Sequence, residues 1–276
     1  MREKIIIAGA SGYIGEFLSR RLSQDGHKIK PLDRTHGCDI RNKQNVANLF
    51  ADFMPTVVID CLDFGTLKEV QENQEKASSV IVGGANTLAG LAKIHDAYII
   101  QMSTSYVFAG NGIKHNEFDT PKPFNAYAAL KLIAESACHK SGLILRMSGV
   151  YGYKREKSDN LDLWAISEWK KGSIIKAFEL YYSTPTFIGD LADVVSNAIK
   201  SRATDLYHVA GPDRMNRYDF FLKLAERMGH DWTCVVPSRE IDGLRPLDGS
   251  LDSSLVQREL GVEMHDVRDG MLLADY

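Results

Sequence analysis

No run of apolar residues in this 276-residue chain approaches the roughly 20 needed to cross a bilayer. That argues against a membrane-spanning helix. Cysteine is scarce. Cys38, Cys61, Cys138 and Cys234 are far apart and form no CxxC pair, which excludes the usual zinc-ribbon and redox spacings. They are expected to be free thiols in a reducing cytoplasm, packed as small hydrophobes. The eight histidines show no HxxxH or HExxH spacing, and the local group His36, Cys38 and Asp39 is read as loop, so no metal site is expected. Excess charge of either sign is missing as well. A formal net charge of −3 gives no reason to expect nucleic acid or an anionic membrane as partner. The opening MREKIIIAG is too short and too quickly ended by glycine to serve as a signal peptide.

What is present is an alternation of short apolar runs with helical patterns. Residues 4–8, KIIIA, are a short apolar run rich in β-branched residues, as a buried parallel strand would be. GASGYIG follows, with Gly9, Gly12 and Gly15 spaced GxxGxxG, and a helical pattern runs from Tyr13 to Leu22. Strand, glycine turn and helix is the arrangement in which backbone N–H groups at a helix N-terminus hold a pyrophosphate. Gly9, Ser11, Gly12, Tyr13, Ile14 and Gly15 are therefore candidate dinucleotide-binding residues. The next strand, His27 to Leu32, ends in Asp33 and Arg34, about 20 residues beyond the glycines, where an acid meets the adenosine ribose. Asp33 favours NAD and Arg34 favours NADP, so both cofactors stay open. Asp39 and Ile40, in a short strand end CDI, and Cys61 and Leu62, after the strand TVVID, complete the expected cofactor contacts.

The remaining rhythm is βαβαβαβαβαβ up to Gly152. The helix at 42–53, the helical stretch from residue 68 through VIVGGANTLAGLAKIHDA and the strand LILRMSGVYG all fit it. The pattern predicts an α/β fold, a Rossmann-type doubly wound parallel sheet with helices on both faces and its ligand site at the carboxyl ends of the strands. Gly83 and Gly84 suggest close helix packing. Beyond Gly152 the rhythm loosens. A helix over LDLWAISEWKKG, a strand then a helix at 190–200, a strand at 205–211, a helix at 217–229 and a last helix capped at Asp252 or Ser253 are expected. The expected division is a nucleotide-binding domain over 1–152, joined by elements near 183–210, and a small, interleaved C-terminal lobe over 153–276.

The chemistry is concentrated between Ala97 and Glu135. A strand ends in Ser103, Thr104 and Ser105, a polar loop follows, and a run of helix formers carries Tyr127 and Lys131. Four residues apart on a helix, phenol and ammonium share a face. A nearby ammonium is expected to lower the phenol's pKa toward neutrality, giving a proton donor and acceptor. Thr104 offers a second hydrogen bond to the same substrate oxygen. A second Tyr-to-Lys match, Tyr153 to Lys157, lies in a charged stretch without an apolar stripe and is read as a solvated loop.

Taken together, GASGYIG, STSYVFAG, PFNAYAALK and LRMSGVYG resemble the extended short-chain dehydrogenase/reductases. The order of STSYVF, the Tyr–Lys helix, YHVAG and RPLDGSLDSS is most similar to the dTDP-4-dehydrorhamnose reductase branch. The resemblance implies a domain that binds NAD or NADP, a C-terminal lobe for a nucleotide-linked sugar and a homodimer. It assigns Thr104 as hydroxyl, Tyr127 as general acid/base and Lys131 to the nicotinamide ribose. Reduction of a keto-sugar, epimerisation or dehydration would use the same trio. Some positions depart from the branch: Ser105 stands where it carries Asp, Cys61 and Leu62 where it carries alanines, and Ile81 where it carries Asn. Those departures motivate a second expectation, a non-catalytic NAD(P)-binding regulatory subunit of the kind found with some methionine adenosyltransferases.

Overall fold

The computed structural model describes residues 2–110, 112–138, 142–155 and 160–276. In chain order the first elements are β1 (Lys4–Ala8), α1 (Tyr13–Gln24), β2 (Lys28–Leu32), α2 (Lys43–Phe53), β3 (Val57–Asp60), α3 (Leu67–Glu72), α4 (Gln74–Ile94), β4 (Tyr98–Thr104), α5 (Ala126–Cys138) and β5 (Leu143–Met147). There follow β6 (Val150–Tyr151), α6 (Leu161–Lys170), β7 (Ile175–Phe178), β8 (Tyr182–Ser183), β9 (Thr186–Phe187), α7 (Ile188–Ser201), β10 (Asp205–Val209) and β11 (Met215–Asn216). The last are α8 (Arg217–Arg227), β12 (Val235–Ser238), α9 (Ser254–Leu260) and α10 (Val267–Leu273). Two compact units result, one of residues 1–107, 125–146 and 195–207, the other of 108–124, 147–194 and 208–276.

The first unit is built on a six-stranded parallel sheet in the order β10-β5-β4-β3-β1-β2. Ile5, Ile6 and Ile7 are fully buried, because β1 is paired on both sides and covered on both faces. At the outer edge, β2 has alternate exposed residues and carries Pro31, a residue confined to edge strands because it cannot donate to a ladder. After β2 the chain crosses β1 to enter at β3, so the switch point lies between β1 and β3, where ligands bind in open α/β sheets. The helical stretch after β3 is two helices rather than one. A capping box at Thr66 and Glu69 starts α3, and Asn73 ends it and begins α4. Of the two glycines expected to mark close packing, Gly84 does so: a Cβ there would collide with Leu62. The segment 38–40 is irregular instead of a strand end, and Cys38 and Ile40 turn into the core beside Leu32 and Val46.

In the second unit, β6 pairs with β9, β8 with β11 and β7 with β12. Its core gathers Tyr151, Phe187, Phe220 and Phe221. Trp169 is buried edge-on to Phe221 and Trp164 lies beside the same ring, so both serve packing. The LILRMSGVYG strand is split by Gly149, whose φ of 51° breaks the extended run into β5 and β6. Tyr153 is buried and bridges to Asp275 rather than lying in a solvated loop, while Lys157 lies outside the described residues.

Candidate active site

The first unit carries a cleft of about 480 Å³ along the carboxyl ends of β1, β2 and β3. Nine of the expected cofactor residues line it: Gly9, Ser11, Gly12, Asp33, Arg34, Asp39, Ile40, Cys61 and Leu62. Gly9 has φ +73°, and a Cβ there would lie 2.5 Å from the Cys61 carbonyl oxygen, so only glycine fits the turn. Gly15 plays the third glycine's part, since a Cβ would run into the Gly9 carbonyl and push α1 off β1. No side chain caps the start of α1 at Gly12, which leaves that helix end to the cleft. Tyr13, Ile14 and Gly15 sit in the first turn of α1 without lining the cleft. Sequence reasoning did not pick out Thr35, Arg41, Asp63, Phe64, Gly65, Glu69 and Val80, which also line it. Arg41 was signalled only by its nearness to Asp39, to which it makes a forked ion pair.

Asp33 is already occupied. One carboxylate oxygen accepts the Ser11 N–H at 2.9 Å, and the other accepts the His36 N–H at 2.9 Å and lies 2.8 Å from its imidazole. Burial pushes the Asp33 pKa up, but these His36 and Ser11 contacts outweigh it and hold the carboxyl below the usual range. Arg34, exposed on the same loop, is the cation beside it in the cleft.

The predicted trio lies next to Leu62 and Asp63 of the cleft. Tyr127 and Lys131 stand one turn apart on α5, and Thr104 ends β4 beneath them. The Tyr106 N–H donates to the Thr104 hydroxyl at 3.2 Å, and the Thr104 hydroxyl faces the Tyr127 phenol, where it favours the phenolate. The Tyr106 ring meets the Tyr127 ring edge-on. Lys131 is buried and donates to the Leu62 carbonyl at 3.3 Å. Behind it lies buried Asp60, whose carboxyl is pushed up to about 6 by burial, against the pull of the Lys131 ammonium.

The direction of the Tyr127 pKa shift corrects the expectation drawn from Lys131. Burial, followed by the Asp63 carboxylate that accepts the phenolic O–H at 3.2 Å, pushes the phenol well above its ordinary value. The ammonium donates to the Leu62 carbonyl and is not among the groups that shift the phenol. Ser105 is buried with no hydrogen-bond partner for its hydroxyl among the described residues. Ile81 is buried among Val70, Ala77, Ala85 and Ala134, so at this position α4 offers α5 a hydrophobic contact and no amide. Among the described residues no group of His, Cys, Asp or Glu could hold a metal ion, and no helix is long and apolar enough to cross a membrane.

A parallel sheet with a glycine turn at its switch point and a Thr-Tyr-Lys trio at the strand ends defines a Rossmann-type protein of the extended short-chain dehydrogenase/reductase class. More narrowly, residues 3–272 match the model of the RmlD substrate binding domain, and the chain belongs to that family. Among its relatives is a probable low-salt glycan biosynthesis reductase, Agl14, from Haloferax volcanii. It is 28% identical over 96% of this chain and 95% of its own length. The methionine adenosyltransferase 2 subunit beta of Rattus norvegicus is 25% identical over 92% of this chain and 81% of its own. Among solved structures, dTDP-4-dehydrorhamnose reductase from Bacillus anthracis in complex with NADP superposes with a TM-score of 0.90. It covers 99% of each chain at 24% identity, a likeness in fold.

Proposed function

We propose that this protein is an NAD(P)-dependent reductase of a nucleotide-linked keto-sugar, similar to dTDP-4-dehydrorhamnose reductase. The observation that carries the reading is the Thr104 hydroxyl facing the Tyr127 phenol, with buried Lys131 one helical turn along α5 donating to Leu62 of a glycine-lined cleft. Membership of the RmlD family and a reductase relative support it. The residues fit a dinucleotide: the turn at Gly9 admits no side chain, and the cleft runs from Asp33 and Arg34 to Leu62 and Asp63. When bound, the reduced nicotinamide supplies a hydride to the carbonyl carbon. Tyr127 gives its proton to the carbonyl oxygen, and Thr104 donates a second hydrogen bond that holds this oxygen in place. Lys131, which donates to the Leu62 carbonyl, would hold the nicotinamide ribose. For the cofactor we favour NADP. Both Asp33 oxygens are taken by the protein's own N–H groups and imidazole, while Arg34 remains to meet a 2′-phosphate.

Tyr127→Phe tests the reading. Turnover of a dTDP-linked keto-sugar is expected to fall by roughly 10²- to 10⁴-fold with little change in NADPH affinity, since a general acid contributes about that much. Undiminished turnover would remove Tyr127 from the chemistry. A second reading, a non-catalytic NAD(P)-binding subunit, is supported by the relative that is a methionine adenosyltransferase subunit. Stable co-purification with a larger enzyme, together with no oxidation or reduction of any sugar nucleotide, would favour it.

A further inference from the structure

The loop that leaves β3 places a carboxylate against the phenol on which the proposed chemistry depends. Asp63 Oδ1 accepts the N–H of Phe64 at 2.8 Å, and Oδ2 accepts the Tyr127 O–H at 3.2 Å. The loop cannot drift far. Leu62, one residue earlier, is buried against Gly84 and has its carbonyl held by Lys131. Thr66, three residues after Asp63, closes a capping box with Glu69. Phe64 packs into the same apolar cluster as Tyr127, beside Val70 and Ala77. The carboxylate is thus fixed at one oxygen and presented at the other.

We propose that Asp63 is a positioning residue for the proton-transferring hydroxyl: it accepts the Tyr127 O–H, sets the direction of that bond and keeps the proton on the phenol until a substrate oxygen competes for it. This rests on the reading of Tyr127 as general acid. The chemistry is that of two neighbouring acids. Ionising the phenol beside a carboxylate would put two anions within hydrogen-bond distance, so the protonated phenol is favoured. The groups that act on the phenol are Asp63 from the loop, Thr104 at the end of β4 and Tyr106 just beyond it, while Lys131 on its own helix donates to the Leu62 carbonyl, with Asp60 behind it. Of these, Thr104 favours the phenolate, whereas Asp63 and Tyr106 oppose it. Reduction needs the phenol and oxidation of an alcohol needs the phenolate, so Asp63 moves the onset of oxidation to higher pH.

Asp63 is exposed and is not part of the core, so Asp63→Asn and Asp63→Ala are expected to fold. The test is a pH titration of the protein labelled at the tyrosine ring carbon that bears the hydroxyl, with the Tyr127 resonance assigned by its loss in Tyr127→Phe. In the unsubstituted protein that resonance stays phenolic while exposed tyrosines ionise. Both Asp63 variants are expected to ionise at Tyr127 at least about tenfold more readily, a shift of one pKa unit. The alkaline limb of the reductive kcat/KM profile should move down with it. An unmoved Tyr127 titration in both variants overturns the proposal. Failure of the reductase reading would instead show as absent turnover in every protein, leaving the resonance shift to be read on its own. Should one variant fold poorly, the other decides.

Discussion

Replacing Glu135 by Gln isolates the interaction that holds α5 against the sheet. Glu135 lies on α5 one turn beyond Lys131 and two beyond Tyr127, on the face turned toward the sheet. Its carboxylate accepts two hydrogen bonds from Arg146 of β5, at 2.9 and 2.7 Å, and one from the Ser103 hydroxyl of β4 at 2.5 Å. The side chains of the pair are 7% and 4% exposed, so solvent neither screens nor replaces them. Removing one charge of a buried pair costs about 3–5 kcal/mol, because the other is left uncompensated. Gln keeps an acceptor for one of the three bonds, which puts the loss near the lower figure, about 3 kcal/mol. With roughly 2–4 °C per kcal/mol for a chain of this size, the melting point should fall by about 6–12 °C. Hydrogen exchange at the amides of β4 and β5 would read the same loss within the first unit. Raising the salt concentration should leave the effect in place, since a buried pair is poorly screened. The double variant Glu135→Leu, Arg146→Met should recover most of it, leaving mainly the unmet Ser103 hydroxyl, about 1 kcal/mol. A loss below about 1 kcal/mol in Glu135→Gln, or a double variant no better than the single, would refute the reasoning.

Two further outcomes follow from the cleft. Gly9→Ala must place a Cβ against the Cys61 carbonyl from a positive φ, so it should lower stability by about 1–3 kcal/mol and abolish saturable NADPH binding, measured by fluorescence titration. Arg34→Ala should weaken NADPH binding by roughly tenfold, the share of one charge-assisted phosphate contact, while NADH binding is unchanged. Equal losses for both nucleotides would take Arg34 away from the 2′-phosphate.

The β-branched runs and the glycine turn made the first unit legible from sequence, because burial on both faces of a parallel strand leaves no polar alternative at Ile5 to Ile7. The trio was legible for a similar reason: a helix fixes which residues share a face, so Tyr127 and Lys131 had to be neighbours. What could not be read were consequences of contacts distant in sequence. The pairing of β7 with β12 joins residues about 60 apart, through strands too short to announce themselves, and α10 is a helix of seven residues. The sign of the Tyr127 shift escaped as well. Spacing along the chain put Lys131 nearby, but the charge that meets the phenol comes from Asp63, 64 residues earlier and on a different element.

That last point explains why the segment from Cys61 to Asp63 matters beyond its own loop. Its first residue turns a carbonyl toward Gly9, its second gives a carbonyl to Lys131 and a side chain to the notch at Gly84, and its third accepts a hydrogen bond from the Tyr127 hydroxyl. Three consecutive residues thereby touch the glycine turn, the buried ammonium and the Tyr127 phenol. Substitutions at Cys61 and Leu62 cannot be judged as isolated departures from the family's alanines, because Leu62 is matched by a helix position with no side chain to oppose it. A Leu62→Ala change would therefore open a cavity under Gly84 instead of restoring a relative's packing, and would loosen the carbonyl that fixes Lys131. Tyr127 and Lys131 are held by this one loop as well as by the Glu135 ties of α5 to the sheet.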